Sequence, residues 1–222
     1  MIVAAGSGVR LGREKIFMKI AGRRVIEWAV QPFERSSVID SIVIVLHKSK
    51  LKEGMDLVKR NHWKKVVSIC SGGKRRQDSV KNGLHHLAHA DYIVIHDGAR
   101  PCLTENLISQ SIAYARRYGA AVPGINPIDT VKMYEPNGTV VDTLDRNRLV
   151  LVQTPQAFRG DLIREAYKKL NTVVPDDAAA VEKLGYKVKV FRGLVENRKL
   201  TEKNDISIIN ESLEKARDKD IR

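Results

Sequence analysis

Cysteine is scarce in this chain of 222 residues: Cys70 and Cys102 are the only two, and neither belongs to a CxxC pair. That excludes a disulfide framework and a cysteine-based zinc site, and makes a reducing compartment, the cytoplasm, the expected location. Long apolar runs are missing too. No window approaches the roughly 18 apolar residues of a membrane span, and the opening MIVAAGSGVR is too short an apolar stretch for a signal peptide, so no membrane partner is expected. Aromatics make up only 5% of the residues and do not interleave with basic ones, which leaves no stacking platform for single-stranded nucleic acid. Acidic residues are short as well, 26 against 39 lysines and arginines, for a formal net charge of +13. Such a surface attracts anions without specifying their shape, so nucleic acid, anionic membrane and phosphorylated small molecules all enter as candidates on charge alone.

Apolar residues, at 43%, are ample for a core, and the length suits one domain spanning 1–222. Short β-branched runs at 2–5, 42–46, 66–70, 92–95, 120–122 and 188–191 read as strands, several apolar throughout and therefore covered on both faces. Between and after them, residues 25–33, 51–62, 77–88, 105–118, 160–170, 177–184 and 206–216 carry apolar residues at helical spacing. The alternation predicts an α/β doubly wound sheet. One stretch breaks it. Around Asn137-Gly138, a strong hairpin signal, two β-prone runs predict a protruding hairpin arm over 130–153, and an arm with no helix to cover it needs another surface, of which a second copy of the chain, giving a homodimer, is the simplest source.

Three clusters carry chemistry. The first strand runs into Ala4-Ala5-Gly6-Ser7-Gly8-Val9-Arg10-Leu11-Gly12, with Lys15 following. Glycines at a strand end let backbone amides approach a phosphate, and a cation can take up its charge. The spacing is neither GxGxxG nor GxxxxGK[ST], so neither a dinucleotide fold nor a P-loop is indicated. Ser71-Gly72-Gly73-Lys74-Arg75-Arg76 then puts paired glycines and two arginines where another helix opens, again a site friendly to anions. His96-Asp97-Gly98-Ala99-Arg100 places a carboxylate and an arginine past the end of an apolar strand, where open α/β sheets bind ligands. Asp97 there suits a magnesium ligand or a hydroxyl acceptor.

The ordered set AAGSGVRLG with Lys15, GGKRRQDSVKNGL, HDGARP, PIDTVK, DRNRLVLVQTPQAF, PDDAAAVEKLG and ENRKLT resembles the 2-C-methyl-D-erythritol 4-phosphate cytidylyltransferase family. The resemblance implies a Rossmann-like core, an arm that clasps a second subunit, CTP and a polyol phosphate as substrates, Mg2+, and pyrophosphate as a product. It implies that Arg10 and Lys15 stabilise the transition state, and that the loop Ala4, Ala5, Gly6, Ser7 and Gly8, with Gly73, Ser79 and Gly98, holds the nucleotide. Asp97, Arg100, Thr130, Arg146, Thr154 and Lys199 would hold or orient the sugar phosphate, Thr130 and Arg146 reaching over from the partner's arm. The chain departs from the family pattern at Glu14-Lys15-Ile16-Phe17, where Pro-Lys-Gln-Phe is usual, and at Pro175, where threonine is common. A ribitol-phosphate cytidylyltransferase and a basic nucleic-acid-binding protein are the rival readings; the second lacks any helix-turn-helix, RRM or KH pattern.

Other features read more plainly. His85, His86 and His89 are expected on one helix without a metal-site motif, His96 as packing beneath its loop, and Trp28 and Trp63 as core anchors.

Overall fold

The run 42–46 is apolar at every position because both its faces are covered. Ile42, Ile44 and Leu46 enter one core with Ile26, Phe33 and Leu107, while Val43 and Val45 enter a second with Val80, Phe158 and Ile163. Side chains alternate across a strand, so a sheet with helices on both faces has no polar side to show. Each such fully buried side chain contributes about 2 kcal/mol.

The computed structural model describes residues 1–6 and 15–220. It runs β1 (Ile2–Ala4), β2 (Lys19–Ile20), β3 (Arg23–Arg24), α1 (Val25–Arg35), β4 (Ile42–Leu46), α2 (Leu51–Asn61), β5 (Val66–Ser71), α3 (Arg76–Leu84) and β6 (Tyr92–Asp97). It continues with α4 (Glu105–Tyr118), β7 (Ala120–Ile125), β8 (Val131–Tyr134), β9 (Val140–Leu144), β10 (Leu151–Val152) and β11 (Gln156–Arg159). It closes with α5 (Gly160–Lys169), α6 (Asp177–Glu182), β12 (Lys189–Arg192) and α7 (Asn204–Asp220). Among the described residues no helix is long and apolar enough to cross a membrane.

In the central sheet β5, β4, β1 and β6 are parallel neighbours in that order. β11 then enters antiparallel between β6 and β7. Ala121 pairs with Ala157 of β11 on one edge and Lys189 of β12 on the other, and Gly124 likewise faces Val152 of β10 and Arg192 of β12. β10 and β11 therefore share one edge of β7. The mixed, doubly wound sheet expected from the sequence is present, and the crossovers diverge between β1 and β6, which makes their carboxyl ends the switch point.

Three expectations need correction. The arm does not reach 153, because Leu151 and Val152 already pair with Ile125 and Gly124 in the central sheet. The segment 156–159 is a strand, not merely a motif; its single antiparallel passage falls too close to β10 for apolar alternation to reveal it. The histidines do not share a helix: α3 stops at Leu84, and His85 and His86 lie in a 3-10 turn that ends before His89. The hairpin itself is as expected, β8 pairing antiparallel with β9 across a turn in which Gly138 has φ +90°. Its Met133, Tyr134, Val140 and Val141 are exposed, Tyr134 by 68%.

Candidate active site

The carboxyl ends of β1, β5 and β6 bring three glycine-bearing loops together. Gly72 fits only because it has no side chain, since a Cβ there would overlap that of Ala5 and stand 2.7 Å from the Ser79 hydroxyl. At Gly73 a Cβ would overlap that of Asp78, and at Gly98 it would come within 2.8 Å of the Ala4 Cβ. The glycines thus let the 72–73 and 98 loops close onto β1 and α3. Ser79 ties the closure: its hydroxyl accepts the Gly73 N–H at 3.1 Å and donates to the Arg75 carbonyl at 3.1 Å.

A cavity of about 500 Å³ opens at this point. Of the predicted site positions it collects Ala4, Ala5, Gly6, Lys15, Gly73, Ser79, Asp97 and Lys199. A larger cavity of about 950 Å³ lies between α1, α7 and the 101–105 loop, and none of the predicted site positions lines it. The smaller one is the candidate site, because it stands at the strand ends and holds the charges.

Asp97 is its centre. Arg76 Nε donates to Oδ1 at 2.9 Å, Lys199 Nζ donates to Oδ2 at 2.7 Å, and Arg100 Nε stands 4.0 Å away. Burial by itself would raise the carboxyl, but Arg76, Lys199 and Arg100 outweigh it and hold Asp97 well below the usual carboxylate range. Arg76 is shared. Its Nη2 donates at 2.7 Å to Asp177, a fully buried carboxylate that also accepts the Tyr167 hydroxyl at 2.5 Å. Burial, which favours the neutral form, is outweighed by Asp177 and Asp97, so the Arg76 guanidinium is held above its ordinary value. The planar guanidinium suits such a two-carboxylate bridge, which a lysine could not reproduce.

Behind Asp97 lies a second layer. The Asp97 N–H donates to Thr154 Oγ1 at 3.1 Å, Thr154 Oγ1 lies 3.0 Å from His96 Nδ1, and His96 Nε2 lies 3.1 Å from the Arg100 carbonyl oxygen. Burial pushes His96 down to about 4, so the imidazole is neutral across the working range. Arg100 Nη1 donates to the Asn197 carbonyl at 2.7 Å, whereas its buried Nε makes no hydrogen bond among the described residues. Lys15 Nζ donates at 2.9 Å to the Leu200 carbonyl, next to Lys199.

Other predicted residues lie elsewhere. Thr130 and Arg146 are exposed on the arm side and do not line the cavity of their own chain; the Arg146 guanidinium donates to the Ile128 carbonyl. Ser7, Gly8 and Arg10 lie outside the described residues. The anion-friendly start of α3 is less open than expected, since Arg75 pairs with Asp78 at 2.7 Å and Arg76 turns inward. Sequence reasoning missed Asp177 and Tyr167 as members of this network; the only available signal was the paired aspartates of PDDAAA, of which Asp176 caps α6 through the Ala179 N–H at 2.9 Å.

No cluster of three or more His, Cys, Asp or Glu suited to a metal occurs among the described residues. Asp97 offers one carboxylate, with Arg76 on Oδ1 at 2.9 Å and, at Oδ2, Lys199 at 2.7 Å and Arg100 at 4.0 Å. That donor set fits a magnesium shared with nucleotide phosphates and waters, not an all-protein cage.

Comparison with known proteins decides the family. Residues 1–215 match the family described as 2-C-methyl-D-erythritol 4-phosphate cytidylyltransferase. The chain belongs to that family. A cytidylyltransferase of that name from Dehalococcoides mccartyi strain 195 is 42% identical over 218 residues, 98% of this chain and 96% of that protein. One from Clostridium tetani is 38% identical over 220 residues, 97% and 89% of the two chains. Among solved structures, the 4-diphosphocytidyl-2C-methyl-D-erythritol synthase of Anaerococcus prevotii superposes with a TM-score of 0.84 at 30% identity, covering 96% of each chain. The cytidylyltransferase of Thermus thermophilus gives 0.76 at 27% identity over 95% of this chain and 96% of its own. Membership in the cytidylyltransferase family makes the chain a nucleotidyltransferase and disfavours the ribitol-phosphate and nucleic-acid readings.

Proposed function

We propose that the chain transfers CMP from CTP to 2-C-methyl-D-erythritol 4-phosphate, releasing pyrophosphate, in a homodimer whose two sites are each completed by the partner's arm. The observation that carries this reading is Asp97, held between Arg76 and Lys199 at the strand ends beside the glycine loops. A phosphate-monoester oxygen attacks the α-phosphorus of CTP; the new P–O bond forms as the bond to the bridging oxygen breaks and pyrophosphate leaves. The attacking phosphate has its second pKa near about 6, so it is dianionic at neutral pH and needs no general base. The imidazole adjoining Asp97, that of His96, is neutral and buried behind Thr154, which agrees with this.

The protein's task is to position two polyanions and meet the charge that grows on the phosphoryl oxygens. In this reading Lys199 and Arg100 would hold the sugar phosphate, Asp97 would accept from its hydroxyls, and Lys15, with Arg10 as the resemblance implies, would meet the triphosphate. When bound to Asp97 and the nucleotide, Mg2+ would neutralise phosphate charge. Thr130 and Arg146, which do not line their own cavity, would serve the partner's site. Pyrophosphate release from CTP against a panel of polyol phosphates tests the reading. Turnover should be selective for methylerythritol phosphate; equal or better turnover with ribitol phosphate would overturn it.

A further inference from the structure

His96 is fully buried, and the transfer chemistry gives it no task, yet both of its ring nitrogens are engaged by residues of the candidate site. The tautomer follows from the partners. A carbonyl oxygen can only accept, so the bond of 3.1 Å to Arg100 requires the proton on Nε2. In the neutral ring Nδ1 must then accept, and the hydroxyl that donates to it, at 3.0 Å, is that of Thr154. The same hydroxyl oxygen accepts the Asp97 N–H at 3.1 Å. The direction of every bond is thereby fixed, from Thr154 into the ring and from the ring into Arg100. Phe33 lies against the imidazole with ring centroids 5.5 Å apart.

We propose that His96 is a positioning residue for the candidate site: through Thr154 it fixes the backbone at Asp97, and through the Arg100 carbonyl it fixes the loop that aims the Arg100 guanidinium. The imidazole joins β6, the start of β11 and the 98–101 loop at once. A phenyl group could fill the space but not join them. The inference rests on the proposed role of Asp97 and Arg100 in holding the polyol phosphate.

The two halves can be separated by substitution. His96→Asn keeps an acceptor near the Nδ1 position and loses the bond to Arg100; His96→Gln keeps a donor near Nε2 and loses the bond to Thr154. Each should lower kcat/KM for the polyol phosphate about fivefold, and His96→Phe, lacking both bonds, by about tenfold or more, as the loss of one or two buried hydrogen bonds implies. The KM for CTP should stay within about twofold, a split that general loosening of the fold would not give. In a Thr154→Val background His96→Gln should cost nothing further. Folded Asn and Gln variants with full kcat/KM, losses shared equally by CTP, or additivity with Thr154→Val would each overturn the proposal, even where His96→Phe fails to fold. Asp97→Asn is the companion control. If it leaves polyol-phosphate turnover intact, the reading of the site fails and takes this inference with it; if it is crippling while the His96 variants are normal, only the inference fails.

Discussion

The strand-end pocket and the hairpin arm are opposites in how they treat their side chains. In the pocket most polar atoms are committed: Asp97 to two cations, Arg76 to two carboxylates, Thr154 to a backbone amide and an imidazole. Along β8 and β9 apolar side chains stand in solvent, Tyr134 at 68% and Val140 at 54% exposure. A two-stranded hairpin with such a surface is marginal alone. The contrast teaches that one chain ties the described polar groups of the pocket to one another, while the arm's apolar face is left for something the single chain does not supply, which is the physical support for the proposed second copy.

The sharpest break of the comparison comes on the pocket side. Arg10→Ala or Lys15→Ala should lower kcat by about a hundredfold or more, the usual loss for a donor that meets growing charge. Near-normal kcat in steady-state assays of both variants would remove these cations from the chemistry.

On the arm side, Tyr134→Asp should convert the proposed dimer to monomer in sedimentation, with little direct loss of monomer stability because the side chain stands largely in solvent on its own chain. A dimer that survives would place the interface elsewhere.

The two regions meet in a mixing experiment. Arg146→Ala and Lys199→Ala should each cripple the homodimer through poor positioning of the polyol phosphate. Heterodimers formed by subunit exchange carry both lesions in one site and neither in the other, so up to about half the wild-type activity should return. No recovery in verified heterodimers would show that Arg146 does not act across the interface.

The smallest effect concerns pH. Rate should rise through the ionisation of the substrate phosphate at about 6 and then stay flat. Because burial holds His96 near 4, its own titration lies below that limb, and His96→Gln should scale the curve down without displacing it. A displaced limb would mean that a protein base takes part.

Much of this architecture is legible in the sequence, for identifiable reasons. The strand at 42–46 has the bounds its apolar run predicts, and α4 starts and stops at Glu105 and Tyr118 because Thr104 caps one end through the Leu107 N–H and Gly119, at φ +82°, breaks the other. Illegible were β10 and β11, too short and too near the arm for periodicity to separate them. The chemistry divides in the same way. Asp97 and Lys199 stand out through their motifs, yet the partnership of Arg76 with Asp177 joins residues 101 positions apart, and no local pattern signals that one charge in a basic cluster is spent inward.

The reversed direction of β10 and β11 has a geometric result. β7 runs parallel to β6 and leaves the sheet at Ile125, on the rim where Asp97 stands, and an antiparallel strand begins on the rim where its parallel neighbours stop. The chain that departs as the arm must therefore come home to that same rim, and a residue it delivers on arrival, Thr154, drops directly behind Asp97. Outreach and pocket are two sides of a single doorway. Residues can be added at the tip around Asn137-Gly138 to lengthen the reach without moving either doorpost, because loop closure grows only slowly more costly with length.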